Sequence, residues 1–300
     1  MTPRTARGAA AIPSLAALRR KGTPIVMITA YDYPGGRIAE QAGADIVLVG
    51  DSAANTVLGY ATTREISMDE LLVLTRAVAR ACTRPLVIGD LPFMSYQVSD
   101  EDAVRNGGRF IKEAGADVVK LEGGGQSVQR AAALTAAGIP VVGHIGLTPQ
   151  TATFLGGHKA QGRQWQQAKA LYDSAVALQA AGCFAIVLEC VPEPVAAAIT
   201  RRLTIPTIGI GSGAACDGQV LVLHDLLDIR PDADFLPKFV KQFAHVGAAM
   251  REGVTAYANE VRSRSYPAPE HTYAIDPDQL SAFEIAVEAG AGGDNVLADW

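Results

Sequence analysis

The sequence is poor in the features that mark several large classes of protein. Its 300 residues contain no apolar run near the roughly 20 residues that a bilayer-spanning helix needs, so no membrane partner is expected. The four cysteines, Cys82, Cys183, Cys190 and Cys216, show no C-x-x-C spacing and no framework suited to a small secreted fold. Reduced thiols in a cytoplasmic protein are the expectation. A basic excess is missing too: 26 Lys and Arg stand against 31 Asp and Glu, a formal charge of -5. That argues against a nucleic-acid partner, which needs a clustered basic face. No G-x-G-x-x-G follows the first apolar run, which disfavours an open doubly wound sheet. A small-molecule ligand remains.

What is present is a repeated strand. Ala44-Asp-Ile-Val-Leu-Val-Gly-Asp-Ser52 is a short aliphatic run, as in a strand buried on both faces, that stops on a carboxylate and a hydroxyl. Pro85 to Asp90, Asp117 to Glu122, Pro140 to His144 and Ala185 to Glu189 repeat the arrangement. With 49% hydrophobic and 19% charged residues there is material for a large core. Single-domain barrels commonly reach about 250 residues.

Taken in order, residues 1–23 read as a lead-in with five basic residues, no acid and a short helix near Pro13 to Arg20. Residues 24–273 read as alternating strands and helices. Pro24 to Thr29 is the first strand, and Tyr31-Asp-Tyr33 lies in its exit loop. Ser67-Met-Asp-Glu70 has capping-box spacing, and Ala42-Gly-Ala-Asp45 and Ala114-Gly-Ala-Asp117 join helices to strands. Pro206 to Ile210 is a seventh strand, the eighth falls between Leu221 and Phe239, and a helix from about Lys238 to Arg264 closes the domain. Residues 274–300 form an acidic tail with a short helix from Leu280 to Ala289. About eight such units predict a parallel sheet closed into a barrel. Links from strand to helix are the long ones, notably after Asp51 and after His144, so the site belongs at the C-terminal mouth.

Asp51, Asp90 and Glu122 end the second, third and fourth strands and are neighbours around that rim. Three converging carboxylates repel unless a cation intervenes, and oxygen ligands favour Mg²⁺ or Mn²⁺ over zinc. The alternative is that they cap helices or pair on the surface. Lys120, two residues before Glu122 on the same strand face, either pairs with a carboxylate or holds an anionic substrate. Glu189 faces the trio across the mouth, as a general base or as a further ligand or ion-pair partner. His144 either contacts substrate or satisfies a core hydrogen bond. Cys190 points away from Glu189, and the Gly209-Ile-Gly-Ser-Gly213 turn is a weak phosphate signal.

These residues sit in seven collinear motifs: Val49-Gly-Asp-Ser52, Gly89-Asp-Leu-Pro-Phe93, Lys120-Leu-Glu-Gly-Gly124, Gly143-His-Ile-Gly-Leu-Thr-Pro-Gln150, Lys159-Ala-Gln-Gly-Arg163, Leu188-Glu-Cys-Val-Pro192 and Asp217-Gly-Gln219. From about Pro24 to His271 the chain resembles the 3-methyl-2-oxobutanoate (ketopantoate) hydroxymethyltransferase family. The resemblance implies a (β/α)8 TIM barrel of the phosphoenolpyruvate/pyruvate superfamily type, assembled as a homodecamer. It implies transfer of a one-carbon unit from 5,10-methylenetetrahydrofolate to 3-methyl-2-oxobutanoate through a Mg²⁺-stabilised enolate, giving 2-dehydropantoate on the pantothenate route. It further implies that Asp51, Asp90 and Glu122 surround Mg²⁺, directly or through water. Asp51, Ser52, Asp90, Lys120 and His144 would contact the oxo acid, and Glu189 would be the proton acceptor.

Two departures lie in mouth loops: Thr63-Arg-Glu-Ile66 places charge where the family has an apolar, proline-containing segment, and His158 stands where it usually has an aromatic residue. A metal-dependent 2-oxo acid lyase or mutase would use the same enolate chemistry. A catalytically silent barrel retained for assembly or regulation would have lost a key acid, and none is missing.

Overall fold

The computed structural model describes residues 7–154, 156, 157, 159–230 and 236–289, with side chains from residue 12 onward. Along the chain it runs α1 (Arg7–Lys21), β1 (Ile25–Thr29), α2 (Tyr33–Gln41), β2 (Ile46–Val49), α3 (Ala53–Thr56), α4 (Met68–Ala81), β3 (Leu86–Asp90), α5 (Asp100–Arg109), β4 (Val118–Glu122) and α6 (Gln126–Ala136). It continues with β5 (Val141–Gly146), α7 (Trp165–Ala180), β6 (Ala185–Glu189), α8 (Glu193–Arg202), β7 (Thr207–Ile210), β8 (Gly218–Leu221), α9 (Leu223–Leu226), α10 (Val246–Ser263) and α11 (Pro277–Glu288). Two compact units divide it, one up to Gly247 and one from Ala248.

In the first unit the eight strands pair in parallel in sequence order and close, β8 against β1, the expected (β/α)8 barrel. Period-2 alternation divides each strand between two cores. Ile46, Leu48, Leu86, Ile88, Val118, Val142, Val187 and Ile208 fill the barrel. Val47, Val49, Val87, Val119, Leu121, Ile186 and Leu188 face outward, in one cluster with Leu71 and Val78 of α4, Leu134 of α6 and Leu178 of α7. Leu15 of α1, with Ile12 and Leu18, joins the inner cluster. Arg19 donates to the carbonyls of Leu203 (2.6 Å) and Thr204 (3.0 Å) and pairs with Asp217 at 3.1 Å. The first helix therefore plugs the end at which the strands begin. It extends N-terminal of Pro13, which was expected to open it; a proline there removes one backbone donor.

The eighth strand and the long helix after it also differ from expectation. The eighth strand is Gly218–Leu221, not within Leu221 to Phe239. Its aliphatic signal is short, since Gln219 is exposed and Gly218 lies against β1, where a Cβ would come within 2.5 Å of the Ile25 carbonyl oxygen. The long helix begins at Val246 rather than near Lys238. The preceding backbone is held against the turn after α9: Phe243 and Val246 N–H donate to the carbonyls of Leu226 and Leu227, both at 2.9 Å.

In the second unit the Tyr257 and Tyr266 rings meet edge to face, centroids 5.6 Å apart. The tail helix is α11, opened by the Asp276 carboxylate accepting from Asp278 and Gln279 N–H. Its start is three residues before the expected Leu280, and the last eleven residues of the tail lie outside the described residues.

One buried acid away from the mouth holds the α2–β3 corner. Glu40, 3% exposed, accepts from Thr83 N–H (2.9 Å), Thr83 Oγ1 (2.6 Å) and Arg84 N–H (2.8 Å) and pairs with Arg37. Burial pushes its pKa up, but these donors and the Arg37 charge outweigh it and hold the carboxyl below its ordinary value of 4.5. Glu40→Ala should therefore cost about 1.5–3 kcal/mol in denaturant unfolding at neutral pH, the usual range for hydrogen bonds to a charged group. Because the folded pKa is lowered, the ionised group's contribution is present above 4.5 and lost as pH falls through the folded value. The wild-type advantage should narrow in acid; a difference that does not depend on pH would contradict this account.

Candidate active site

Strand register builds the site. Asp90 pairs across from Lys120, Glu122 from His144, and Gly146 from Glu189. Each charged residue continues the inward parity of an aliphatic strand: Leu86-Ile88-Asp90, Val118-Lys120-Glu122, Val142-His144, Val187-Glu189. A polar layer thus caps the aliphatic ones at the C-terminal mouth, where sites of this architecture lie. Asp51 alone is off that parity, one residue past Gly50. Its N–H donates to Asp90 Oδ2 at 3.2 Å.

All five groups are withdrawn from solvent: Asp51 is 5% exposed, Asp90 1%, Lys120 3%, Glu122 4% and His144 2%. Lys120 Nζ donates to Asp90 Oδ1 (2.7 Å) and Oδ2 (2.8 Å) and lies 3.5 Å from Glu122 Oε1. His144 Nδ1 is 3.3 Å from Glu122 Oε1 and Nε2 is 3.1 Å from Glu189 Oε2. Both are ion-pair contacts without aligned N–H geometry. Glu189 is the more open acid, its side chain 14% exposed.

Charge balance follows. Burial, then the Asp90 and Glu122 charges, push the Asp51 carboxyl well above the usual carboxylate range. Burial also raises Asp90, against the pull of Lys120. Glu122 is held low despite burial, by Lys120 and His144. Burial would lower Lys120, but the three carboxylates raise it. Burial and Lys120 pull His144 down, while Glu122 and Glu189 outweigh them and hold it at about 9. The surrounding carboxylates thus favour the charged forms of Lys120 and His144.

Among the described residues, no three acidic, imidazole or thiol side chains form a ready metal cage. The donor chemistry nevertheless fits a hard divalent ion: the buried carboxylates offer oxygen only, and Asp51 lacks a compensating cation of its own. Asp51, Asp90 and Glu122 are the residues that would hold it.

Sequence reasoning passed over three residues that organise this layer. Gln150, in the loop after β5, donates from Nε2 to Asp51 Oδ2 (3.1 Å) and from N–H to Glu122 Oε2 (3.2 Å). Tyr96 accepts from Glu122 N–H (3.1 Å) and donates to Gln150 Oε1 (2.9 Å). Tyr31, buried after β1 with its hydroxyl pushed up to about 12 by burial, shares a 2.8 Å hydrogen bond with Ser52 Oγ. Gln150 closes one of the seven motifs but was given no role there, and the signal for Tyr31 and Tyr96 was position in strand-exit segments. The Gly209–Gly213 turn serves structure: Ser212 Oγ donates to the Leu188 carbonyl (2.7 Å) and accepts from Val191 N–H (3.1 Å). The Cys190 thiol, pushed up to about 12 by burial, does not line the cavity.

A cavity of about 510 Å³ opens above the layer. Asp51, Ser52, Asp90, Lys120, Glu122, His144 and Glu189 line it together with Arg64, Arg230 and Phe239. The loop after β5 contributes Pro149, Ala152 and Thr153, and Gln161 N–H fastens its far end to the Cys190 carbonyl at 2.9 Å. His158 lies outside the described residues. Gly146 sets the loop's start with φ +100°, and a Cβ there would fall 2.2 Å from the Glu189 carbonyl oxygen. Gly146→Ala should displace Glu189 and lower turnover about 10²-fold, the scale of an ångström-sized misplacement. Steady-state kinetics on folded protein checks this, and wild-type turnover would contradict it.

The profile of a family described as ketopantoate hydroxymethyltransferase matches residues 9–269. The chain is 51% identical over 269 residues to the 3-methyl-2-oxobutanoate hydroxymethyltransferase of Carboxydothermus hydrogenoformans, covering 90% of this chain and 97% of that protein. It is 48% identical over 288 residues to the enzyme of the same name from Nitratidesulfovibrio vulgaris strain DP4, covering 96% and 93%. Among solved structures, phosphonopyruvate hydrolase complexed with oxalate and Mg²⁺ is similar with TM-score 0.58 at 15% identity, covering 93% of this chain and 98% of that one. For 2,3-dimethylmalate lyase, a member of the PEP mutase/isocitrate lyase superfamily, the TM-score is 0.56 at 16% identity, covering 94% and 99%. Likeness at that distance speaks for the fold alone.

Proposed function

Since this chain belongs to the ketopantoate hydroxymethyltransferase family and is an enzyme of that activity, we propose the course of its reaction and the groups that carry it. The one-carbon unit passes from 5,10-methylenetetrahydrofolate to C3 of 3-methyl-2-oxobutanoate, and the product, 2-dehydropantoate, feeds pantothenate formation. The observation that carries this reading is the buried layer itself. Lys120 and His144 stand among the acids Asp51, Asp90, Glu122 and Glu189, with Glu189 the one most open to the cavity.

The oxo acid's carboxylate and 2-oxo oxygens lie against Lys120, Ser52 and His144, with Asp51 and Asp90 beside them. Mg²⁺ held by Asp51, Asp90 and Glu122 supplies, when bound, positive charge that favours an enolate over the oxo acid. Glu189 takes the C3 proton on its carboxylate, and the C–H electron pair becomes the enolate's. His144, 3.1 Å from Glu189, orients the carboxylate for that transfer. The donor's methylene carbon bonds to the enolate carbon and to a water oxygen while both of its carbon–nitrogen bonds, to N5 and N10, break. The C3 proton and one water proton end on the two nitrogens of tetrahydrofolate, and the other water proton stays on the product hydroxyl. The methylene carbon is at the formaldehyde level and its addition to the enolate is redox-neutral overall, so no redox partner is required. The loop after β5 keeps bulk water from reprotonating the enolate. A homodecamer and a cytoplasmic setting accompany this reading and rest on the family resemblance.

Purified protein with Mg²⁺, 3-methyl-2-oxobutanoate and methylenetetrahydrofolate should yield 2-dehydropantoate; folded protein that binds both substrates without product would contradict the reading. Glu189→Gln should keep oxo-acid affinity within a few fold while slowing C3 proton exchange, followed by NMR in D₂O, by about 10²–10⁴-fold. Undiminished exchange would remove Glu189 as the base.

A further inference from the structure

The cavity is larger than the oxo acid requires, and its walls are of two kinds. A molecule as small as 3-methyl-2-oxobutanoate fills a minor part of about 510 Å³, within the range of about 300–1,000 Å³ that accommodates drug-sized ligands. The charged groups sit on the ends of β3 to β6 and just past β2. The remaining arc is apolar: Ile210, Val220, Val222 and Phe239 line the side formed by β7, β8 and the chain following them. Burial also grades the cavity from floor to mouth. The charged floor is sealed from solvent, whereas Arg64 on the β2–α4 connection is exposed.

Arg64 is distinct among the cations of this cavity. Lys120 is engaged by Asp90 and Glu122, and Arg230 pairs with Asp225 at 2.9 Å. The Arg64 guanidinium has no hydrogen-bond or ion-pair partner among the described residues. The adjacent Glu65 forms no ion pair with it: its carboxylate accepts from the Thr62 N–H (2.7 Å) and Thr62 Oγ1 (3.2 Å) of its own turn. The mouth therefore presents an uncommitted cation at the rim and an apolar wall inside it, above the charged floor that the proposed reaction gives to the smaller substrate.

We infer that the outer half of the cavity seats the one-carbon donor, with its fused ring system along the apolar wall of β7 and β8 and its glutamyl carboxylates at Arg64. This rests on the reaction proposed above, in which a folate is the donor. A folate has the matching polarity. Its flat heterocycle carries the methylene carbon and must reach the enolate near the floor, and its anionic tail is at the opposite end and trails toward solvent. The charge that interrupts an apolar segment at Thr63-Arg-Glu-Ile66 thereby acquires a use, with each further γ-glutamyl unit adding a carboxylate near the rim. Attraction at so exposed a position is modest and weakens with salt.

The test is steady-state transfer with monoglutamyl and triglutamyl methylenetetrahydrofolate, at low and high ionic strength, on wild type and Arg64→Glu. Arg201→Glu serves as the control: it changes net charge equally, on an exposed position at the far end of α8 and outside the cavity lining. C3 proton exchange in the absence of donor reports the oxo-acid half of the site separately. The expected result is a donor KM raised about 5-fold or more in Arg64→Glu at low salt, more for the triglutamyl donor than for the monoglutamyl one and less at high salt, while KM for the oxo acid does not follow. A donor KM within twofold of wild type, or an equal rise in Arg201→Glu, overturns the inference and leaves the proposed reaction standing. Proton exchange that falls in step with donor affinity also overturns it, by placing Arg64 against the oxo acid. Wild-type protein that exchanges the C3 proton yet transfers nothing from either donor overturns the proposed reaction and this inference together.

Discussion

The Lys120 ammonium, enclosed between the carboxylates of Asp90 and Glu122, is the interaction on which the mouth of this barrel depends. Moving ions of either sign out of water costs several kcal/mol each unless close partners replace the lost hydration. Here three carboxylates and an imidazole are buried within one layer, and Lys120 touches two of the acids directly. Without it the layer would relieve its repulsion by taking up protons, and its acids would be poor ligands for anything cationic. The barrel meets the requirement through register. Pairing Asp90 across from Lys120 and Glu122 across from His144 places opposite charges side by side before any side chain chooses a rotamer.

The same register separates tasks by depth and by sector. Below the polar layer the barrel is aliphatic and plugged by α1, so the charged groups rest on a stiff floor. Above it, the loop after β5 is tied in at both ends. Gln150 binds Asp51 and Glu122, Gly146 admits the Glu189 carbonyl, and Gln161 holds the Cys190 carbonyl. The described part of that loop is thereby fastened to the acids of the layer and to the segment after β6. Ser52 is steadied from the other side by Tyr31. The acids are thus arranged as a layer rather than as a metal cage, and Asp51, its carboxyl pushed well above the usual range by burial and by the Asp90 and Glu122 charges, is the acid least able to stay ionised there without a cation.

Much of this was legible because it follows from period 2. Aliphatic runs ending on acids announced parallel strands and put Asp51, Asp90 and Glu122 on one rim with Glu189 across it, while alternation set Lys120 on the same strand face as Glu122. Asp51 does not obey that parity, and its place beside Asp90 could be anticipated only from its position at the same rim. The contributions of Gln150 and Tyr96 were not legible, because their partners are fixed by loop conformation and not by spacing in sequence. The eighth strand was hidden by its brevity and by Gly218, whose lack of a side chain is what lets β8 close against β1. The onset of α10 was misjudged because tertiary hydrogen bonds hold Phe243 and Val246 against the α9 turn, an override that no local propensity records.

The central claim, that Lys120 stabilises the layer as a buried ion pair, is tested most directly by a double-mutant cycle of Lys120→Met and Asp90→Asn in equilibrium denaturant unfolding without added metal. The account predicts that Lys120→Met alone costs about 3–5 kcal/mol, as expected when a buried partner is left uncompensated, and that adding Asp90→Asn recovers a large part of the loss. A cost below about 1 kcal/mol with no coupling, the behaviour of an exposed pair, would contradict it.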